Sequence, residues 1–183
     1  MEPIALWHAE HANYARLLDL LHAQLDAFDE GNQPNYPLML DIVTYLRHFP
    51  DRLHHVREDV AFARLVRHDP TLRLPINRLK QEHRVIVAAG DELLERLNEV
   101  NSGAVMTRAA LEACAAVYLV YYRHHLATEE TEILPRAAAL LTSKDWAAVG
   151  AAAPADTDPL FGKDPEPRYR DLRRRIALES QPA

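Results

Sequence analysis

Glycine is scarce, occurring 5 times in 183 residues, and aromatic side chains make up only 7% of the chain. A fold of many short strands needs frequent turns, so this scarcity argues against a sandwich or barrel. Cysteine occurs once, as Cys114, which excludes an intrachain disulfide and any CxxC metal or redox motif. Its setting, Leu111-Glu112-Ala113-Cys114-Ala115-Ala116-Val117, points to a buried, inert thiol. No stretch approaches about 18 uninterrupted apolar residues, so no membrane-spanning segment is expected. Met1-Glu2-Pro3-Ile4 is not a basic region leading into an apolar run, so the expected location is cytoplasmic. A net charge of −6 leaves no broad basic surface for nucleic acid or an anionic membrane. A phosphate loop and an ordered Ser-His-Asp set are missing too.

What is present is helix-forming sequence, with 48% hydrophobic residues and many alanines and leucines. The length suits one domain. Apolar residues at three- and four-residue steps predict a first helix over 4–28, ended by Gly31-Asn32, with His11 inside its apolar stripe. A second helix should start near Pro37 and run to about Arg67, carrying Leu40, Val43, Leu46, Leu53, Val56 and Val60 inward. Pro50 should kink or break it near Phe49. A third is expected from about Pro75, with Ile76, Leu79, His83, Ile86, Gly90, Leu93 and Leu97 as its stripe, up to Asn101-Ser102-Gly103. Thr107 can cap a fourth, whose inward stripe reads Leu111, Val117, Val120, Tyr121 and His125 before Pro135 bends or ends it. Four helices with short connections predict an all-α, antiparallel four-helix bundle over residues 1–140. Residues 141–183 form an extension packed on it: a capping box at Thr142–Asp145 opening a short helix, a proline-rich stretch, and a short helix over about 169–178 whose Arg173-Arg174-Arg175 is a solvated face.

The ten histidines are the compositional oddity, and their placement repeats. Glu10-His11 is followed after a 43-residue step by His54, with Glu58 four residues on; Glu82-His83 is followed after a 42-residue step by His125, with Glu129 four residues on. This reads as an internal duplication. Four residues advance about 400° around a helix and about 6 Å along it, so each His-x-x-x-Glu stacks an imidazole and a carboxylate on one face. Helix axes in a bundle lie about 8–10 Å apart, close enough for inward side chains of all four to converge. A single buried histidine is usually a hydrogen-bonded core residue, and a single His-x-x-x-Glu usually a surface pair. Both together, twice, would be costly to bury without a compensating cation. The expected metal ligands are therefore His11, His54, Glu58, His83, His125 and Glu129.

In these motifs the chain resembles the hemerythrin-like HHE cation-binding domains over about residues 4–140. The segments Phe49-Pro50-Asp51-Arg52-Leu53-His54-His55-x-x-Glu58-Asp59 and His125-x-x-x-Glu129-Glu130-x-x-Ile133-Leu134-Pro135 carry the resemblance. It implies two iron ions bridged by carboxylates, here Glu58 and Glu129, and by an oxo or hydroxo group. It also implies a small ligand such as O2, peroxide or NO, bound by a sensor, a scavenger or a modest oxidase. Iron handling or storage without turnover is the alternative, as is a structural zinc bundle; imidazole and carboxylate donors also suit zinc or manganese. Glu-x-x-His pairs of the ferritin-like kind do not occur. A homodimer is compatible with this class. Reversible oxygen carriers of the family have a second histidine four residues beyond the third-helix ligand, and that position is Val87 here. The expected donor set, four imidazoles and two carboxylates, is nearly symmetric by the repeat, which leaves open positions on both metals and, without an imidazole at 87, favours oxidation over reversible oxygen binding.

The remaining histidines carry weaker expectations. His8, one turn before His11, is a candidate exchangeable ligand; His22 is a core or bundle-end residue; His48 and His68 belong to the surface. His55 and His124 should point about 100° away from the ligands, with a His55/Asp59 register as the alternative. Glu10 and Glu82 are placed at a solvated edge, with contact to a ligand histidine as the other option.

Overall fold

The computed structural model describes residues 3–29, 32–153 and 157–179, and side chains except those of residues 28, 29 and 179. The described residues contain helices and no strand. Helix α1 spans Pro3–Asp29, and α2 Tyr36–His48 continues through a π-helical turn, Pro50–His54, into α3 His55–His68. A 3-10 turn at Pro70–Leu72 leads into α4 Arg73–Asn101. The last rod is α5 Arg108–Thr128, a second π-helical turn at Glu129–Ile133, and α6 Leu134–Leu140. Beyond the rods lie α7 Ser143–Gly150, a 3-10 turn Pro167–Tyr169 and α8 Arg170–Glu179.

The rods pack antiparallel. Contacts between α1 and the last rod run from His8–Glu130 at one end to Asp19–Arg123 further along. Those between the second rod and α4 run from Arg47–Asp91 to Asp59–Lys80. Caps agree with the sequence: Asn35 Oδ1 accepts from Leu38 N–H, and Thr107 Oγ1 accepts from Ala110 N–H.

Neither interior proline ends its rod. After Pro50 the helix widens by one residue, so the His55 N–H bonds to Pro50 O, five residues back; Leu134 N–H does the same with Glu129 O just before Pro135. The expected break at Phe49 is therefore a bulge that carries the helix forward. The fourth-helix stripe is also corrected: Val117, Val120 and Tyr121 are 46%, 65% and 40% exposed, and Val56 of the second rod is 38% exposed. The inward face of α5 is Leu111, Ala115, Tyr118, Leu119, Tyr122 and Leu126. Few polar residues mark the outer face of α5, so the apolar pattern alone does not locate its inner one.

In the extension, Thr142 and Asp145 form the expected capping box on α7, and Asp145 also accepts from Arg64 at 2.8 Å and meets His68 at 2.9 Å. Trp146 packs edge-on to Trp7. Leu160, Tyr169, Leu172 and Ile176 are buried in the same core cluster as α2, and the Tyr45 hydroxyl donates to Asp158 at 2.9 Å.

Two apolar clusters result, one around Trp7, Phe62, Leu65 and Ile133, the other around Tyr14, Leu46, Leu93 and Tyr122. Between them lies a polar layer of buried histidines and carboxylates. Arg47 reaches that layer across Gly90: a Cβ built on Gly90 would lie 2.2 Å from Arg47 Cδ and 2.9 Å from the Tyr118 ring. We predict that Gly90→Ala lowers the melting temperature. Overpacking costs about 1–3 kcal/mol against the roughly 1 kcal/mol that alanine returns in helix propensity, and Arg47 is tied to both Asp51 and Asp91. Gly150→Ala, whose Cβ meets nothing within 4 Å, is the control and should be neutral or mildly stabilising. Equal melting temperatures for the two variants would contradict this account.

Candidate metal centre

Two groups of buried side chains in the polar layer could each hold a cation: His11, His54, Glu58 and Glu129, and beside them His55, Glu58, His83 and His125. All six residues expected from the spacing come together, and a seventh, His55, joins them. Glu58 belongs to both groups. Its Oε1 lies 2.8 Å from His54 Nε2 and 3.4 Å from His11 Nε2, while its Oε2 lies 3.4 Å from His83 Nε2. Glu129 straddles the centre likewise, Oε2 3.6 Å from His11 Nε2 and Oε1 3.2 Å from His125 Nε2.

Imidazole nitrogens face each other in pairs, His11 Nε2 to His54 Nε2 at 2.8 Å and His83 Nε2 to His125 Nε2 at 3.0 Å. At most one proton can sit between two such nitrogens, whereas a cation accepts both lone pairs. Buried His55 Nε2 has no hydrogen-bond partner, and neither does Glu58 Oε2 or either oxygen of Glu129. Orphaned polar atoms of this kind are rare in native cores and mark a place where a ligand satisfies them. The donor set fits a cation pair by this criterion.

Each imidazole is also held from behind. Nδ1 of His54 meets Glu10 at 2.7 Å, and Nδ1 of His11 meets Glu130 at 2.7 Å. His55 meets Asp51 at 3.0 Å, His125 meets Glu82 at 3.4 Å and His83 meets Asp59 at 3.6 Å. A carboxylate on Nδ1 fixes the ring's orientation and leaves Nε2 as the basic, metal-facing atom. The pattern follows the duplication: the acid before each lone histidine holds the histidine of the following pair. The acid after each pair glutamate reaches across to the other half, Asp59 to His83 and Glu130 to His11.

Burial pushes every one of these imidazoles toward neutrality, and neighbouring carboxylates push back. For His11 and His125 the carboxylates prevail and the pKa rises to about 10. For His55, burial together with neighbouring His83 and His125 holds the pKa well below the usual value, giving a neutral ring. Despite burial, His54, His11 and His83 keep Glu58 well below the ordinary carboxylate range and therefore ionised. A cation at the centre competes with the protons on His11 and His125 and finds His55 already neutral.

His55 corrects the sequence expectation, which aimed it away from the ligands. Its ring stacks on His83 with centroids 4.3 Å apart and meets His125 at 5.7 Å. The 100° rule assumes a regular α-helix, and the π-turn at 50–54 removes that regularity so that neighbouring His54 and His55 both face inward. The nearly symmetric donor set expected from the repeat is corrected with it, because a third imidazole reaches the second group from α3. Glu10 and Glu82 contact ligand-face histidines rather than lying at a solvated edge; the signal was the Glu-His dipeptide repeated in both halves. His8 is outside both groups and pairs with Glu130 at 2.6 Å. His22 is exposed and contacts Asp26 and Arg123; His124 is exposed against Glu82. Cys114 is half-buried rather than buried, and burial raises its thiol to about 11, so it stays protonated.

Fold and centre together define a helical-bundle cation-binding protein. Residues 2–137 match the family described as the hemerythrin HHE cation binding domain, and the chain belongs to that family. No curated protein and no solved structure matched the chain. No helix of the described residues is long and apolar enough to cross a membrane.

If the Nδ1 carboxylates orient metal-facing nitrogens, Glu10→Gln and Glu82→Gln should each weaken metal affinity about 10- to 100-fold, measured by competition with a chromophoric chelator. Unchanged affinity in both variants would remove the carboxylates from the site.

Proposed function

We propose that this chain is a non-haem di-iron protein that binds a small ligand, O2, peroxide or NO, as a sensor or scavenger. The observation that supports it most is the unequal pair of donor groups sharing Glu58: two imidazoles on one side, three on the other. The mixed set of imidazoles and carboxylates suits iron, with zinc and manganese as competitors. Two irons held there supply redox electrons and a coordination position for the small ligand.

The chain's own residues set the rest. His11, His54, His83 and His125 would hold the irons through nitrogen, Glu58 and Glu129 would be the carboxylates shared between the two groups, and His55 would add a nitrogen on the His83/His125 side. Three imidazoles with Glu58 and Glu129 would hold a cation on that side and two imidazoles with the same carboxylates would hold one on the His11/His54 side, which would leave the latter the more open to an exogenous ligand. Trp7 and Phe62 cover one face of the layer and exclude water, Trp7 edge-on to His54 at 5.7 Å and Phe62 stacked on His83 at 6.0 Å. His55 would supply the third nitrogen that Val87 does not, so Val87 by itself does not exclude reversible binding.

The test is metal content and optical spectrum after anaerobic ferrous loading, followed by cycling between air and argon. About two irons per chain and an air-induced charge-transfer band are expected. His54→Ala and His125→Ala should lower metal content sharply, and His55→Ala should leave a protein that oxidises irreversibly. His22→Ala and His48→Ala should behave as wild type. One tightly held zinc with no response to air, or equal metal loss in all five variants, would count against the proposal.

A further inference from the structure

Three phenol hydroxyls, those of Tyr14, Tyr118 and Tyr122, lie in the core without a hydrogen-bond partner, and each residue is at most 1% exposed. Leaving a buried hydroxyl unpaired is costly, and most native cores avoid it. Phenylalanine would fill the same volume without the cost. The three are not alike in position. Tyr14 lies one turn beyond His11 on α1, and Tyr122 one turn before His125 on α5. Because these helices run antiparallel, both rings arrive on the same side of the polar layer. Tyr14 packs edge-on to His54 with centroids 5.3 Å apart and lies 6.5 Å from His11; Tyr122 lies 6.0 Å from His55.

Burial, then the surrounding acids, keeps Tyr14 well above the usual tyrosine range. Burial, then Tyr118, Tyr14 and Glu58, does the same for Tyr122. Both rings thus lie against the histidine layer, and a phenol hydroxyl is an ordinary hydrogen-bond donor at neutral pH. Tyr118 packs on Tyr122 at 5.5 Å, but beyond burial the charges that act on it are Arg47 and Asp91, and no carboxylate of the centre is among them. It is a chemically matched residue beyond the centre.

We propose that the hydroxyls of Tyr14 and Tyr122 donate hydrogen bonds to the exogenous ligand of the metal pair, and so favour small ligands ending in a negatively charged oxygen or nitrogen over neutral diatomics. The proposal rests on the di-metal reading above. A donor with no protein acceptor, poised beside a cation that draws in an anion, adds a charge-assisted hydrogen bond only when that anion arrives.

Azide is the probe, titrated optically into the oxidised, iron-loaded protein, with NO binding to the ferrous protein as the neutral comparison. Tyr14→Phe and Tyr122→Phe should each raise the azide Kd roughly tenfold, as for a lost hydrogen bond to a charged group. Each should change NO affinity by less than about threefold, and Tyr118→Phe should leave both unchanged. In metal-free protein, Tyr14→Phe and Tyr122→Phe should leave the melting temperature unchanged or raise it, because each deletes an unpaired hydroxyl. Azide affinity unaltered in both variants, weakened equally by Tyr118→Phe, or a metal-free melting temperature lowered by Tyr14→Phe and Tyr122→Phe would overturn the proposal and leave the metal pair standing. A wild-type protein that takes up no metal would overturn the di-metal reading and this proposal together.

Discussion

Five imidazoles and two carboxylates sit in the middle of a helical bundle with almost no water contact. Burying so many polar groups is tolerable only if each has a partner on both sides. Toward the surface the partners are carboxylates: Glu10, Glu130 and Glu82 hydrogen-bond Nδ1 of His54, His11 and His125, and Asp51 and Asp59 lie beside Nδ1 of His55 and His83 as ion-pair neighbours. Toward the centre they are other ligand-type atoms, nitrogen facing nitrogen and carboxylate oxygens without hydrogens to accept. The outer side is supplied with carboxylates by the protein itself, and the inner side gains its counterpart only with a cation. The membership of a cation-binding family and the pattern of orphaned atoms are two expressions of this constraint.

The bundle serves that layer. Trp7, Phe62 and Ile133 close it on one side and Tyr14, Leu46 and Tyr122 on the other, so the donors are held by packed side chains rather than by loops. The two π-turns flank the layer, Pro50–His54 ending at one pair histidine from the Tyr14/Leu46 side and Glu129–Ile133 starting at the other pair's glutamate and running toward the Trp7/Phe62 side. A π-turn changes which residues face inward without ending the helix, and Pro50 and Pro135 sit where a regular helix would lose a hydrogen bond anyway.

Much of this was legible in the sequence because it depends on periodicity. Four helices, their caps and six inward donors all follow from spacing, and the duplication supplied an internal check. What was not legible depends on departures from regular geometry or on contacts between helices. His55 needed the π-turn. Asp59 and Glu130 act on histidines of the opposite half, which no local spacing reveals, although an acid does follow each pair glutamate. In α5 the inward face was misassigned because valines and a tyrosine lie outside it, and a helix with apolar residues on several faces has no stripe to read.

The duplication is most informative where it fails. Aligning His54 with His125 sets His55 against Leu126, Asp51 against Tyr122 and Arg47 against Tyr118. In the first half these positions form a chain from Asp91 through Arg47 and Asp51 to a third imidazole. In the second half they are two unpaired phenols and a leucine, so that half supplies no counterpart to His55. An exact repeat would give two equivalent metals and no reason for an outside ligand to prefer either. Replacing one charged chain by Tyr118, Tyr122 and Leu126 leaves the His11/His54 side one nitrogen short and places a hydrogen-bond donor near the centre. Under the di-iron reading, the conserved features of the two halves hold the metals, and the differences between them decide where a small molecule binds.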